Sequence, residues 1–284
     1  MENIRIVESS RVSEAVKELF IKANHVLPDN VQHSLDAASK SENNELAKAV
    51  LERLSENIDI AKRCNVPVCQ DTGMAVLFAE IGKNVHVSGD SFDKAVNDGV
   101  RAAYLEGKLR CSVVADPFFD RKNTDDNTPA IIYTSFVEGD RIKLTALPKG
   151  FGSENMSAVK MFTPSATRED IVEFVVETVR KAGSNPCPPI VVGIGMGGSF
   201  DYSCVLSKKA LARSIDDANP KKEYAELEAE ILERINKLGI GPQGFGGRTT
   251  ALAVKIESYP THIAGLPVAV NICCHVARHM LLTI

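Results

Sequence analysis

The chain lacks a surplus of either charge: 33 Lys and Arg stand against 37 Asp and Glu in 284 residues, a formal net charge of −4. That balance argues against a dedicated nucleic-acid binder, whose phosphate partners call for a basic face. It also lacks any apolar run near the roughly 20 residues that span a bilayer. The opening Met-Glu-Asn-Ile-Arg has no basic stretch leading into an apolar one, which excludes a signal peptide of the usual kind. No low-complexity segment, internal repeat or linker stands out. The expectation is a cytoplasmic protein that binds neither nucleic acid nor membrane. What is present is ordinary for a globular chain, 44% hydrophobic and 25% charged, with core enough for one large or two small domains.

Seven cysteines are the first feature out of the ordinary: Cys64, Cys69, Cys111, Cys187, Cys204, Cys273 and Cys274. An odd number in a reducing compartment does not read as a disulfide framework. Most would be small buried hydrophobes.

The hydrophobic pattern predicts helices over the first 60 or so residues, with Val12, Ala15, Val16, Leu19 and Phe20 on one face and Leu46, Val50, Leu51, Leu54 and Ile58 on another. Short strands follow at 74–78 and 85–87, then a helix capped by Ser91. Residues 130–147 read as a hairpin, with Ile131, Ile132 and Tyr133 opposite Ile142, Leu144 and Leu147. Helices near 168–182 and 220–238 alternate with strands at 190–192 and 249–257, and a last apolar stretch covers 266–273. Without a sustained βαβ rhythm this is a mixed α and β (α+β) fold. A helical N-terminal portion (about 1–62) precedes interleaved short strands and helices, not a doubly wound Rossmann sheet.

Chemistry concentrates at element ends. Cys69-Gln70-Asp71-Thr72-Gly73 follows Pro67, a rigid turn carrying a thiol, an amide, a carboxylate and a hydroxyl. Cys187 stands between Pro186 and Pro188, an immobile backbone that suits either a metal ligand or a structural turn. In Asn271-Ile-Cys273-Cys274-His275 the adjacent side chains diverge, so one thiol at most points inward. Lys149-Gly-Phe-Gly-Ser-Glu-Asn155 is a glycine-interrupted loop entering a helix, whose amides could grip a carboxylate or cap the helix. Arg110, at a predicted helix end, could clamp a carboxylate or simply favour the helix dipole. His275 and His279, at i and i+4 on one helix face, could bind zinc. Gly193 to Gly198 matches a dinucleotide fingerprint formally, but Ser199-Phe-Asp-Tyr202 does not open an apolar helical stripe.

Five segments in order, Cys69 to Gly73, Lys149 to Ser153, Cys187-Pro-Pro189, Gly244 to Gly247 and Pro267 to Cys274, resemble the alpha (N-terminal) part of the class I, iron–sulfur fumarate hydratase type of hydro-lyase. The resemblance runs from residue 8 to the end and implies one hydro-lyase domain over 1–284. It implies a [4Fe–4S] cluster on Cys69, Cys187 and Cys274, the spacing from Pro267 favouring Cys274 over Cys273. Three thiolates leave one iron open as a Lewis acid rather than a redox relay. By matched position, Gln70, Asp71, Arg110, Gly152 and Asn155 would line the pocket of a small dicarboxylate, and Asp71 and His262 would move or position the proton. Phe151 interrupts what is commonly an unbroken glycine run. The family's beta part is absent before Ile284, so the resemblance implies a separate beta subunit and an α2β2 assembly. The implied reaction is hydration of fumarate to L-malate. Its rivals are the L-tartrate dehydratase alpha subunit, a zinc-binding structural protein and, from residues 193–198, a nicotinamide-dependent oxidoreductase.

Overall fold

The computed structural model describes residues 4–284. In chain order the elements are β1 (Arg5–Glu8), α1 (Ser9–His25), α2 (Asp29–Ser41), α3 (Glu45–Cys64), β2 (Met74–Gly82), β3 (Val85–Ser88), α4 (Phe92–Glu106), β4 (Ile131–Val137) and β5 (Ile142–Lys149). They continue with α5 (Phe151–Glu154), β6 (Ala158–Phe162), α6 (Arg168–Ala182), β7 (Ile190–Gly198), α7 (Phe200–Ala210), α8 (Lys222–Asn236), β8 (Ala251–Thr261), β9 (Leu266–Cys273) and β10 (Met280–Thr283). The fold is α+β: β1 and β3 pair in parallel, and each of the two four-stranded sheets mixes parallel and antiparallel pairs. The chain forms two compact units, one from residues up to Pro28 with 60–150 and 278–284, the other from 29–59 with 151–277.

In the first unit a four-stranded sheet runs β10-β5-β2-β4. Alternation along β2 turns Ala75, Leu77, Ala79 and Ile81 to one face. There they meet Val16, Leu19 and Phe20 of α1 and Val96, Val100 and Tyr104 of α4. The two helices approach closely because Gly99 has no Cβ, which would stand 2.5 Å from the Ser13 carbonyl oxygen. The predicted hairpin over 130–147 does not form. β4 and β5 both flank β2, β4 parallel and β5 antiparallel to it. The end of β2 fills the space between them: Lys83 N–H donates to Val137 O at 2.8 Å, and Gly82 N–H to Arg141 O at 2.8 Å.

In the second unit the sheet runs β6-β9-β7-β8. Its core gathers Ile190, Val192 and Ile194 of β7, Val254 and Ile256 of β8, Val172, Val175 and Val176 of α6, and Ile231 and Ile235 of α8. Thr167 and Asp170 close a reciprocal cap on α6. On the other face of β7 lies α7, a helix from Phe200 that the sequence reading did not place and that carries no apolar stripe, burying Ser203, Leu206, Ser207 and Ala210. The glycines before it explain the pattern: a Cβ on Gly193 would meet Ser207 O at 2.2 Å, and on Gly195 would meet Ser203 O at 2.0 Å. They let a helix lie on the strand.

The two sheets share one scheme. A central strand (β2 or β7) has a parallel neighbour on one side (β4 or β8) and an antiparallel one on the other (β5 or β9). A further antiparallel strand (β10 or β6) lies beyond. The fourth strand comes last in the first unit and first in the second, so the strand orders are cyclic shifts of each other. Among the described residues no helix is long and apolar enough to cross a membrane.

Candidate functional site

The shared scheme puts a cysteine loop at equivalent places: Cys69 lies just before β2 and Cys187 just before β7. In each unit that loop lies beside the segment leaving the antiparallel neighbour, since Met74 pairs with Lys149 and Val191 with Cys273. Bare backbone and polar side chains collect there because both strands end.

In the first unit the turn carrying Cys69, Gln70 and Asp71 is held from several sides. Asp71 Oδ1 accepts from Gly73 N–H at 3.0 Å. The Tyr104 hydroxyl donates to Gly73 O at 2.7 Å, and burial drives its phenol well above the usual tyrosine range. Thr72 Oγ1 accepts from Arg110 N–H at 2.9 Å, which fixes Arg110 against the turn. Arg110 stands four residues past the end of α4, exposed, and so owes nothing to that helix's dipole. Arg278, buried, donates through Nη2 to Asp71 O and through Nε to Pro148 O at 3.3 Å, while its Nη1 has no acceptor among the described residues. A Cβ on Gly150 would stand 3.0 Å from Asp71 Oδ2, so glycine leaves that carboxylate its room. Sequence reasoning passed over Tyr104 and Arg278, for neither sits in a turn motif.

In the second unit Cys187 is exposed with φ +54°. Cys273 is the last residue of β9 and buried, whereas Cys274, the next, is partly exposed. The segment after it is not helical, so His275 and His279 share no helix face. Instead His275 N–H donates to Cys187 O at 3.3 Å, bringing the Cys274 and Cys187 backbones together. Phe151 opens the one-turn helix α5 with ordinary backbone angles, so no glycine is required there. The nearest atom to a Cβ on Gly152 would be Asn185 O at 3.8 Å, which sets this glycine beside the Cys187 loop. Asn155 is exposed and lines a shallow groove with Lys160, Phe174 and Lys181.

His262 is not brought to this end of its sheet. It follows Thr261, which pairs with Gly198 at the far end of β7 from Cys187, roughly 26 Å of strand away. It is exposed, and its Nδ1 accepts from Ala264 N–H at 3.1 Å.

The thiols divide by environment. None of the seven cysteines is in a disulfide. Burial and the carboxylates of Asp126 and Asp125 push the Cys111 thiol up, and burial does the same to Cys204, which disfavours their thiolates. Cys69, Cys187 and Cys274 sit on loops with their side chains at least partly exposed. That donor set, soft and accessible, fits an iron–sulfur group. Among the described residues no three His, Cys, Asp or Glu side chains are grouped as a metal site, and two of these thiols belong to the second unit and one to the first.

A model of the family described as fumarate hydratase (Fumerase) matches residues 13–283. The chain is 45% identical over 272 residues to a Methanocaldococcus jannaschii protein provisionally named L(+)-tartrate dehydratase subunit alpha, covering 94% of this chain and 95% of that one. It is 31% identical over 273 residues to the L(+)-tartrate dehydratase subunit alpha of Escherichia coli O157:H7, covering 95% and 89%.

Proposed function

This chain belongs to the fumarate hydratase family, and from that premise we propose that it is the alpha subunit of a [4Fe–4S] hydro-lyase that adds water reversibly to fumarate to give L-malate. The observation carrying the reading is the pair of accessible cysteine loops at equivalent strand ends, with Cys274 beside the second of them. Cys69, Cys187 and Cys274 would hold the cluster; bound there, it supplies a Lewis acid for the substrate's hydroxyl and carboxylate.

The remaining work falls to side chains of this chain. Arg110 neutralises a substrate carboxylate, a bidentate partner that lysine would not match. Gln70 and Asn155 donate amide hydrogens to carboxylate oxygens, and Gly152 lets the substrate approach main chain unobstructed. Asp71, with its Oδ1 on Gly73 N–H and its main chain on Arg278, is held in one orientation and carries the proton to or from the carbon next to the hydroxyl-bearing one. His262 also faces substrate in this reading. With a strand's length between it and Cys187, it would be supplied by the second alpha chain of an α2β2 assembly. The beta subunit completes the pocket.

The names of the relatives favour a second reading, L-tartrate dehydration, in which the same clamp receives a diacid with one more hydroxyl. The test is an anaerobic assay of the chain co-expressed with its beta partner against fumarate, L-malate, L- and D-tartrate and mesaconate. Interconversion of fumarate and L-malate supports the first reading. Turnover of tartrate with none of fumarate replaces it by the second, and turnover of neither removes both.

A further inference from the structure

The segment Pro242-Gln-Gly-Phe-Gly-Gly247 has no part in the reaction described above, yet its geometry is tight. Gln243 N–H donates to Pro188 O at 2.8 Å, and Gln243 Nε2 donates to the same oxygen at 2.7 Å. To do so Gln243 takes φ 52° and ψ 17°, a left-handed conformation that few side-chain-bearing residues adopt. A Cβ on Gly244 would stand 2.5 Å from Ser184 Cβ, so this backbone lies directly on the segment leading into Cys187. From another segment, His275 N–H donates to Cys187 O at 3.3 Å and His275 Nδ1 lies 3.0 Å from the same oxygen. Nδ1 donates to that carbonyl in the tautomer that carries hydrogen there, and in the other tautomer accepts from Gln243 Nε2, 3.3 Å away. Two successive carbonyls, at Cys187 and Pro188, are thus each held by a main-chain donor, with the Gln243 amide on the second and the His275 ring against the first and against that amide.

We propose that Gln243 and His275 are positioning residues that set the Cys187 and Cys274 thiols in one fixed arrangement before any metal arrives. The inference rests on the reading of those two cysteines as cluster ligands. Pinning both carbonyls fixes the peptide planes on either side of Pro188 and holds Cys187 at φ +54°, a conformation the chain would otherwise leave. Because His275 directly follows Cys274, its bonds to Cys187 tie the two ligand-bearing backbones to each other. A pair already ordered loses little conformational freedom on taking up iron, and such outer partners commonly set metal affinity by about ten- to a hundred-fold.

The test uses the full chain in two forms, wild type against Gln243→Ala, His275→Ala and His275→Asn, the last keeping an amide donor where Nδ1 stood. In the metal-free chain, amide hydrogen exchange at residues 187, 243 and 275 should quicken about tenfold in Gln243→Ala and His275→Ala, the loss of roughly one hydrogen bond. His275→Asn should stay near wild type. After anaerobic reconstitution, the same two alanine variants should lose their visible absorption to a chelator about tenfold faster. If Gln243→Ala fails to fold, Gln243→Glu keeps the volume and removes the donor. Unchanged exchange, or His275→Asn behaving like His275→Ala, overturns the clamp whether or not iron binds. A wild-type chain that takes up no iron overturns the cluster assignment instead, while the exchange comparison still decides the clamp.

Discussion

Cys187 and Cys111 differ in what surrounds the sulfur, and that difference is testable one residue at a time. Cys187→Ser should abolish iron retention after reconstitution, whereas Cys111→Ser, whose thiol is pushed up by burial and by Asp126, should keep it. Iron analysis and visible absorption of the two variants check this, and equal loss from both would remove the ligand assignment. A second residue-scale prediction concerns Glu42, which accepts from the main-chain N–H of Asn43 at 2.9 Å, Asn44 at 3.0 Å and Arg248 at 2.7 Å. Its burial works to raise the carboxyl's pKa, but these donors outweigh it and hold the value below the ordinary glutamate range. A depressed carboxylate contributes stability that is complete above its unfolded value and gone below the folded one. Glu42→Gln should therefore cost about 2 kcal/mol at neutral pH, with the gap in melting temperature from wild type closing as pH falls through the carboxylate range. A constant gap down to pH 3 would contradict it. At this scale the sequence was most informative where a motif is contiguous: Cys69 to Asp71, Cys187 between prolines. Tyr104 and Arg278 were invisible because each acts on main chain far away in sequence, and so was the bond from Arg248 N–H to Glu42, which no local pattern encodes.

Elements were legible where one face repeats. α1, α4 and α6 lie where their apolar period puts them, the apolar stretch over 266–273 is β9, and Ser91 marks a helix start. Pairing was not legible, since Ile131 to Tyr133 and Ile142 to Leu147 carry the same alternation whether they face each other or both face β2. α7 was missed because half of what it packs on is glycine: the strand offers no side chains, so the helix needs no continuous apolar stripe. That packing predicts that Gly195→Ala, with a Cβ 2.0 Å from Ser203 O, destabilises by about 3 kcal/mol. Ala253→Gly on the neighbouring strand should cost only about 1 kcal/mol. Denaturant titrations of the two would fail to support the close approach if the order were reversed.

For the molecule as a whole, the proposed division of labour predicts that the isolated chain shows little hydratase activity until a beta partner is added. Robust turnover by the alpha chain alone would refute a shared pocket. The reconstituted pair should lose activity in air, because an iron without a fourth thiolate is readily lost; undiminished activity after prolonged aeration would argue against such a centre. No linker marked the two units in the sequence, because each is assembled from separated stretches that alternate along the chain. The repeated strand scheme was hidden for a similar reason: a cyclic shift preserves neighbours in space while scrambling their order along the chain.

The strand β10 has a consequence for biosynthesis. It pairs with β5 along the outer side of the first unit's sheet, yet it is translated only after every residue of the second unit. While the ribosome works, Leu144 and Ala146 wait with an open hydrogen-bonding edge beside them, and the half of the protein begun first is finished second. A stalled or clipped nascent chain would thus carry a completed Cys187 unit alongside an unsealed Cys69 unit, the kind of raw border that chaperones attend to.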